Sequence, residues 1–142
     1  MSIEASITLR IHNAPERITE IIKIFQRIGW NFHPEIEYLP LHDEDDYNWQ
    51  KEKISPEELF SIIDEEQKNQ EIIGLILYYL NTDIGITLLI KNHDEIIIML
   101  NINRKTLKNS EITDISFYIE KIAVKLEESG YLITRIETDE MI

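Results

Sequence analysis

A chain of 142 residues, 43% of them hydrophobic, can bury one real core, and it reads as a single globular domain over residues 1–142. It has no cysteine, which excludes disulfides, zinc–thiolate sites and thiol nucleophiles. A net charge of −13 disfavours nucleic acid, whose phosphates must be neutralised by Lys and Arg.

The first strand is read from alternation. Ile3, Ala5, Ile7, Leu9 and Ile11 interleave with Glu4, Ser6, Thr8, Arg10 and His12, the period of a strand with one buried face. Asn13-Ala14-Pro15 then predicts a helix start, with Asn as cap and Pro in the first turn. Its stripe is Ile18, Ile21, Ile22, Phe25 and Ile28, and Gly29 is placed to end it. A second strand is expected from Trp30 to about Leu39, with Trp30, Phe32, Ile36 and Tyr38 on one face and Glu35 and Glu37 on the other. Pro34 predicts an edge or a bulge there.

After Pro40 the periodicity is lost. His42 to Glu52 contains Asp43, Glu44, Asp45, Asp46, Tyr47 and Trp49 and reads as a long surface loop. Ser55-Pro56-Glu57-Glu58 restarts a helix, with Ser as cap, Pro in the first position and Glu58 as capping-box partner. Leu59, Ile62 and Ile63 give it a narrow stripe before a polar end. Three strands follow as hairpins: Ile72–Leu80, apolar on both faces and expected to be covered on both, then 84–91 and 95–103. A helix over about 113–129 turns Ile115, Tyr118, Ile119, Ile122 and Leu126 inward, and Tyr131–Thr138 supplies a last strand.

The order β-α-β-α-β-β-β-α-β predicts an α+β fold, a mostly antiparallel sheet of five to six strands packed by three helices. The opening β-α-β is expected to contribute one parallel pair.

The charge is local. Residues 35–71 carry thirteen acids against Lys51, Lys53 and Lys68, whereas residues 1–34 are nearly balanced. Within the acidic loop the calcium-loop spacing fails, since Tyr47 and Asn48 stand where an oxygen ligand and a glycine are required. His33 and His42 lie near carboxylates but lack the spacing that fixes two ligands on one helix face, so no metal and no cofactor are expected. No nucleophile elbow, phosphate loop or dinucleotide fingerprint is present, and the chain is read as a non-enzyme. Arg104 and Lys105, with Asn101, Asn103 and Lys108, form a small patch that either balances the acidic half or binds an anion.

With no run long enough to span a membrane and no signal-peptide pattern at Met1-Ser2-Ile3-Glu4, a cytoplasmic protein without a membrane partner is expected. Tyr47 and Trp49 inside an acidic run have the make-up of a hot spot with an electrostatic rim, which points to a basic protein partner. In size, acidity and layout the chain resembles the immunity proteins of bacterial contact-dependent and polymorphic toxin systems. That resemblance implies binding and neutralising a basic, nuclease-type toxin by occluding its active site. The residues expected to carry it are Glu35, Glu37, Asp43, Glu44, Asp45 and Asp46 for steering, with Tyr47 and Trp49 as anchors. The alternative is a small-molecule-sensing regulatory domain, its ligand near Arg104 and Lys105.

Overall fold

The structure, a computed structural model, describes residues 4–141. It is an α+β fold whose strands all pair antiparallel in one sheet. The strands are β1 (Glu4–Ile11), β2 (Trp30–Asn31), β3 (Ile36–Tyr38), β4 (Gln50–Glu52), β5 (Ile73–Tyr79), β6 (Gly85–Ile90), β7 (Glu95–Ile102) and β8 (Ile133–Met141). Helix α1 spans Ile18–Arg27 and α2 spans Pro56–Lys68. A third helix, α3, runs over residues 115–128; its middle, Ile119–Val124, is π-helical between α-helical ends. Spatial order is β4-β3-β5-β6-β7-β1-β8, with β2 also on β5.

The expected parallel pair does not form. β1 lies between β7 and β8, and β2 reaches past β7 and β6 to pair antiparallel with β5. The reason lies in β1 itself, whose buried alternation fills the gap left between β7 and β8 by the α3 crossover. The expected second strand is split. Trp30 pairs Tyr79 and Tyr38 pairs Leu75, so the residues between, Pro34 included, bulge out of the ladder.

One face of the sheet carries the core. Leu75, Leu88, Ile98 and Ile7 lie in one row across four strands, all essentially inaccessible, beneath Ile22, Phe25, Leu59, Ile63 and Ile122 of the helices. Helix starts are satisfied in two ways. Ser55 Oγ accepts from Glu58 N at 3.1 Å, as its sequence predicts. Helix α1 instead begins at Ile18, after Arg17, and Asn13 is not its cap: Asn13 bonds Leu132 N and Gly130 O, tying the start of the chain to its end. The amide of Ile18 donates to Gln67 Oε1 of α2 at 2.9 Å, so a neighbouring helix supplies the cap.

The π-helical turn has a packing cause. Tyr118, Ile122 and Leu126 are all buried at spacings of four, which in an α-helix overshoot a full turn by about 40° each. Widening the middle of α3 keeps the three in line. There the Lys121 carbonyl accepts from Trp30 Nε1 at 3.2 Å, satisfying a buried indole.

Candidate functional site

The other face of the sheet is only partly covered. Ile76, Thr87, Met99 and Ser6 form a row across it, and Leu89 and Ile97 flank them. Among the described residues the helices pack on the opposite face from this row. The acidic loop between β3 and β4 lies at the row's β5 end, where Trp49 meets Gly74, so β5, expected to be covered on both faces, has helices on one and a loop on the other.

The loop is anchored along its length. Leu39 N donates to Gly74 O at 3.0 Å, continuing the β3–β5 pairing. His42 N donates to a carboxylate oxygen of Glu71, just beyond α2. The Asp43 carboxylate accepts from Tyr47 N at 2.7 Å and Asn48 N at 2.9 Å. These bonds hold a backbone in which His42, Glu44, Asp45 and Tyr47 all have φ between 53° and 62°, a region costly for residues with side chains. At the far end β4 pairs β3, and Tyr38 Oη donates to Glu52 at 3.0 Å. Burial, then this bond and nearby carboxylates, raise the Tyr38 pKa.

Trp49 is the hinge between loop and sheet. It is 36% exposed and its ring lies against Gly74 of β5, where a side chain would leave no room. Tyr47 and Trp49 together with Glu37, Ile76, Leu89 and Met99 line a shallow groove of about 450 Å³. Glu37 forms its polar edge, accepting from Tyr78 Oη at 3.0 Å, and the His33 ring stacks on Tyr78 at 3.4 Å between centroids. Burial, and then Glu37, push the Tyr78 pKa to about 12, so this hydroxyl stays a donor across the physiological range.

Asp43, Glu44, Asp45 and Tyr47 line a second, smaller cavity of about 180 Å³ on the opposite side of the loop, with Glu71 and Lys91. Asp46 and Glu35 are exposed and line neither. The predicted residues therefore divide: Glu37 and Trp49 belong to the groove, Asp43, Glu44 and Asp45 to the small cavity, and Tyr47 to both. Asp43 organises the loop backbone and is not a free charge. Among the described residues no three His, Asp or Glu side chains converge to hold a metal ion.

Two features escaped the sequence reading. Gly74 carries no local turn signature, and its role shows only once Leu39 and Trp49 are seen against it. Glu66 is 1% exposed, with Oε2 unpartnered, on the face of α2 that carries Leu59 and Ile63. Burial, then Glu71 and Asp43, raise its pKa to about 8, so it is mostly protonated at neutral pH. Its spacing, three residues beyond Ile63 and seven beyond Leu59, was the available signal.

The Arg104 guanidinium is committed internally, donating to Glu111 O at 2.9 Å and Thr113 Oγ1 at 2.7 Å, with its side chain 13% exposed. Lys105 is exposed beside it, and its amide donates to Tyr118 Oη. The patch thus braces the connection into α3. No protein-family model, curated protein or solved structure matches this chain.

Proposed function

We propose that the chain is a protein-binding protein, an immunity-type inhibitor that neutralises a basic, nuclease-type toxin in the cytoplasm by occluding its active site. The observation that carries this reading is the seating of the acidic loop on the open sheet face. It puts Tyr47 and Trp49 on the wall of an apolar groove, with Glu44 and Asp45 at the neighbouring small cavity that Tyr47 also lines and Asp46 exposed next to Tyr47 in the chain. A pre-shaped loop binds without first losing its conformational freedom. Opposite charge raises the encounter rate, up to about 10⁸–10⁹ M⁻¹s⁻¹ at low salt. Aromatic anchors then slow dissociation.

The test needs a basic, nuclease-type toxin domain as partner, to be sought first in the reading frames next to the one that encodes this chain. The two are co-expressed, and association is followed at low and high salt. A Glu44→Gln, Asp45→Asn, Asp46→Asn variant spares Asp43, and with it the loop fold; it is expected to associate at least about tenfold more slowly at low salt and to lose most of the salt dependence. Trp49→Ala is expected to leave association nearly unchanged and to raise dissociation, costing about 2 kcal/mol or more. If the neutralised loop binds at the wild-type rate and salt slope, the loop is not the interface.

A further inference from the structure

The two edges of the sheet are unlike. One is β4, three residues long and therefore a poor template for further pairing. The other is β8, nine residues of ITRIETDEM with no proline and no lysine, and among the described residues nothing pairs with its outer side. A single irregularity relieves it, between the Arg10–Arg135 and Ile11–Ile133 pairs; from Arg135 to Met141 the ladder is regular. Ile136 lies on the helix side of the sheet, opposite the inaccessible Leu9, yet is itself 45% exposed.

Immediately around Ile136 the charge pattern of this edge is complementary to itself, while at the ends of the paired stretch Ile133 faces the partner's Asp139. Read outward from Ile136 in both directions, the strand is Arg135 and Glu137, then Thr134 and Thr138. When two copies run antiparallel about a twofold axis at Ile136, each Arg135 faces the partner's Glu137, and Ile136 faces the partner's Ile136. Within one copy Arg135 stands directly opposite Arg10, a like-charge pair that is unfavourable across two strands. Arg10 already has Glu95 on its inner side, as an ion pair. Within one copy Glu137 already pairs with Arg135 along the strand; in the dimer this acid is exchanged between copies, so the row across the open face runs Glu95, Arg10, Arg135, then the partner's Glu137.

We propose that β8 is a homodimerisation edge, joining two copies of this chain into one continuous antiparallel sheet about a twofold axis at Ile136. The contact is isologous, so it closes after two copies and consumes the exposed edge. It lies across β6, β7 and β1 from the acidic loop and does not depend on what the loop binds.

Sedimentation over a concentration series tests it. The expected mass rises from 16.8 kDa toward twice that value. Arg135→Glu or Glu137→Arg alone places like charges opposite each other and is expected to raise the midpoint concentration at least about tenfold; the double reversal restores pairing. The chain contains no cysteine, so Ile136→Cys is expected to give a symmetric disulfide on mild oxidation, because cross-strand Cα separations suit the bond. Thr138→Cys, whose twin lies four residues further along the pair, is not. Circular dichroism confirms that each variant is folded. A wild-type chain that stays at 16.8 kDa up to its solubility limit overturns the proposal. So does a dimer indifferent to the charge reversals, or one that crosslinks equally well at Thr138→Cys.

Discussion

A Cβ at position 74 would meet Leu39 Cδ1 at 2.5 Å and Trp49 Cη2 at 2.9 Å, closer than side chains tolerate. Gly74 thus lets the acidic loop lie down on the sheet, and Gly74→Ala must either expel Trp49 or push β3 away. The expected cost is about 1–3 kcal/mol, as for overpacked sites. Trp30 stays buried, so a red shift in tryptophan emission would report Trp49 moving into water. An unshifted spectrum with unchanged stability would show that the loop does not depend on this contact. Glu66 makes a second prediction. Its folded pKa of about 8 exceeds the ordinary 4.5, so between those values the folded state holds the proton that the unfolded state has released. Stability therefore falls as pH rises through this window and levels off above it. Glu66→Gln keeps the shape without the titration. Its advantage over wild type is expected to grow by a few kcal/mol between pH 5 and pH 9 in urea melts. Parallel stability profiles for the two proteins would mean that Glu66 ionises freely.

At the scale of elements, what the sequence made legible was what depends on neighbours within a few positions. The alternation of β1, the Ser55-Pro56 start of α2, the stop at Gly29 and the two hairpins from β5 to β7 are local signals, and each stands where its residues put it. What failed to show was decided at long range. Asn13 has the right chemistry for a cap, but the better partners for its side chain lie more than a hundred residues away at Gly130 and Leu132. The three residues of β4 have no strand pattern of their own and are ordered by pairing with β3. The partner of β1 was equally hidden, because it is chosen by which gap its buried row fills. The candidate site divides along the same line: its aromatic and acidic content was readable, whereas the groove under Trp49 exists only through Gly74, Ile76, Leu89 and Met99 of other strands.

The whole molecule concentrates repulsion. Most of the net charge of −13 lies in residues 35–71, and the loop and Glu71 bring Asp43, Glu44, Asp45 and Glu71 together around one cavity with Lys91 as the one basic side chain in its lining. Exposed like charges held within about 10 Å of one another repel until salt screens them at roughly 0.1 M. Folding brings these acids closer than the unfolded chain does, so low ionic strength should tax the folded state more heavily. Raising sodium chloride from 10 mM to 300 mM is therefore expected to lift the Tm by several degrees, on the order of 1 kcal/mol. The Glu44→Gln, Asp45→Asn, Asp46→Asn variant should begin with a higher Tm and gain less from salt. A basic partner would relieve the same repulsion more completely than diffuse ions do, because its charges are held in place against the loop. A variant whose Tm responds to salt as steeply as wild type would place the repulsion elsewhere on the surface and remove the energetic reason for this loop to seek a cationic partner.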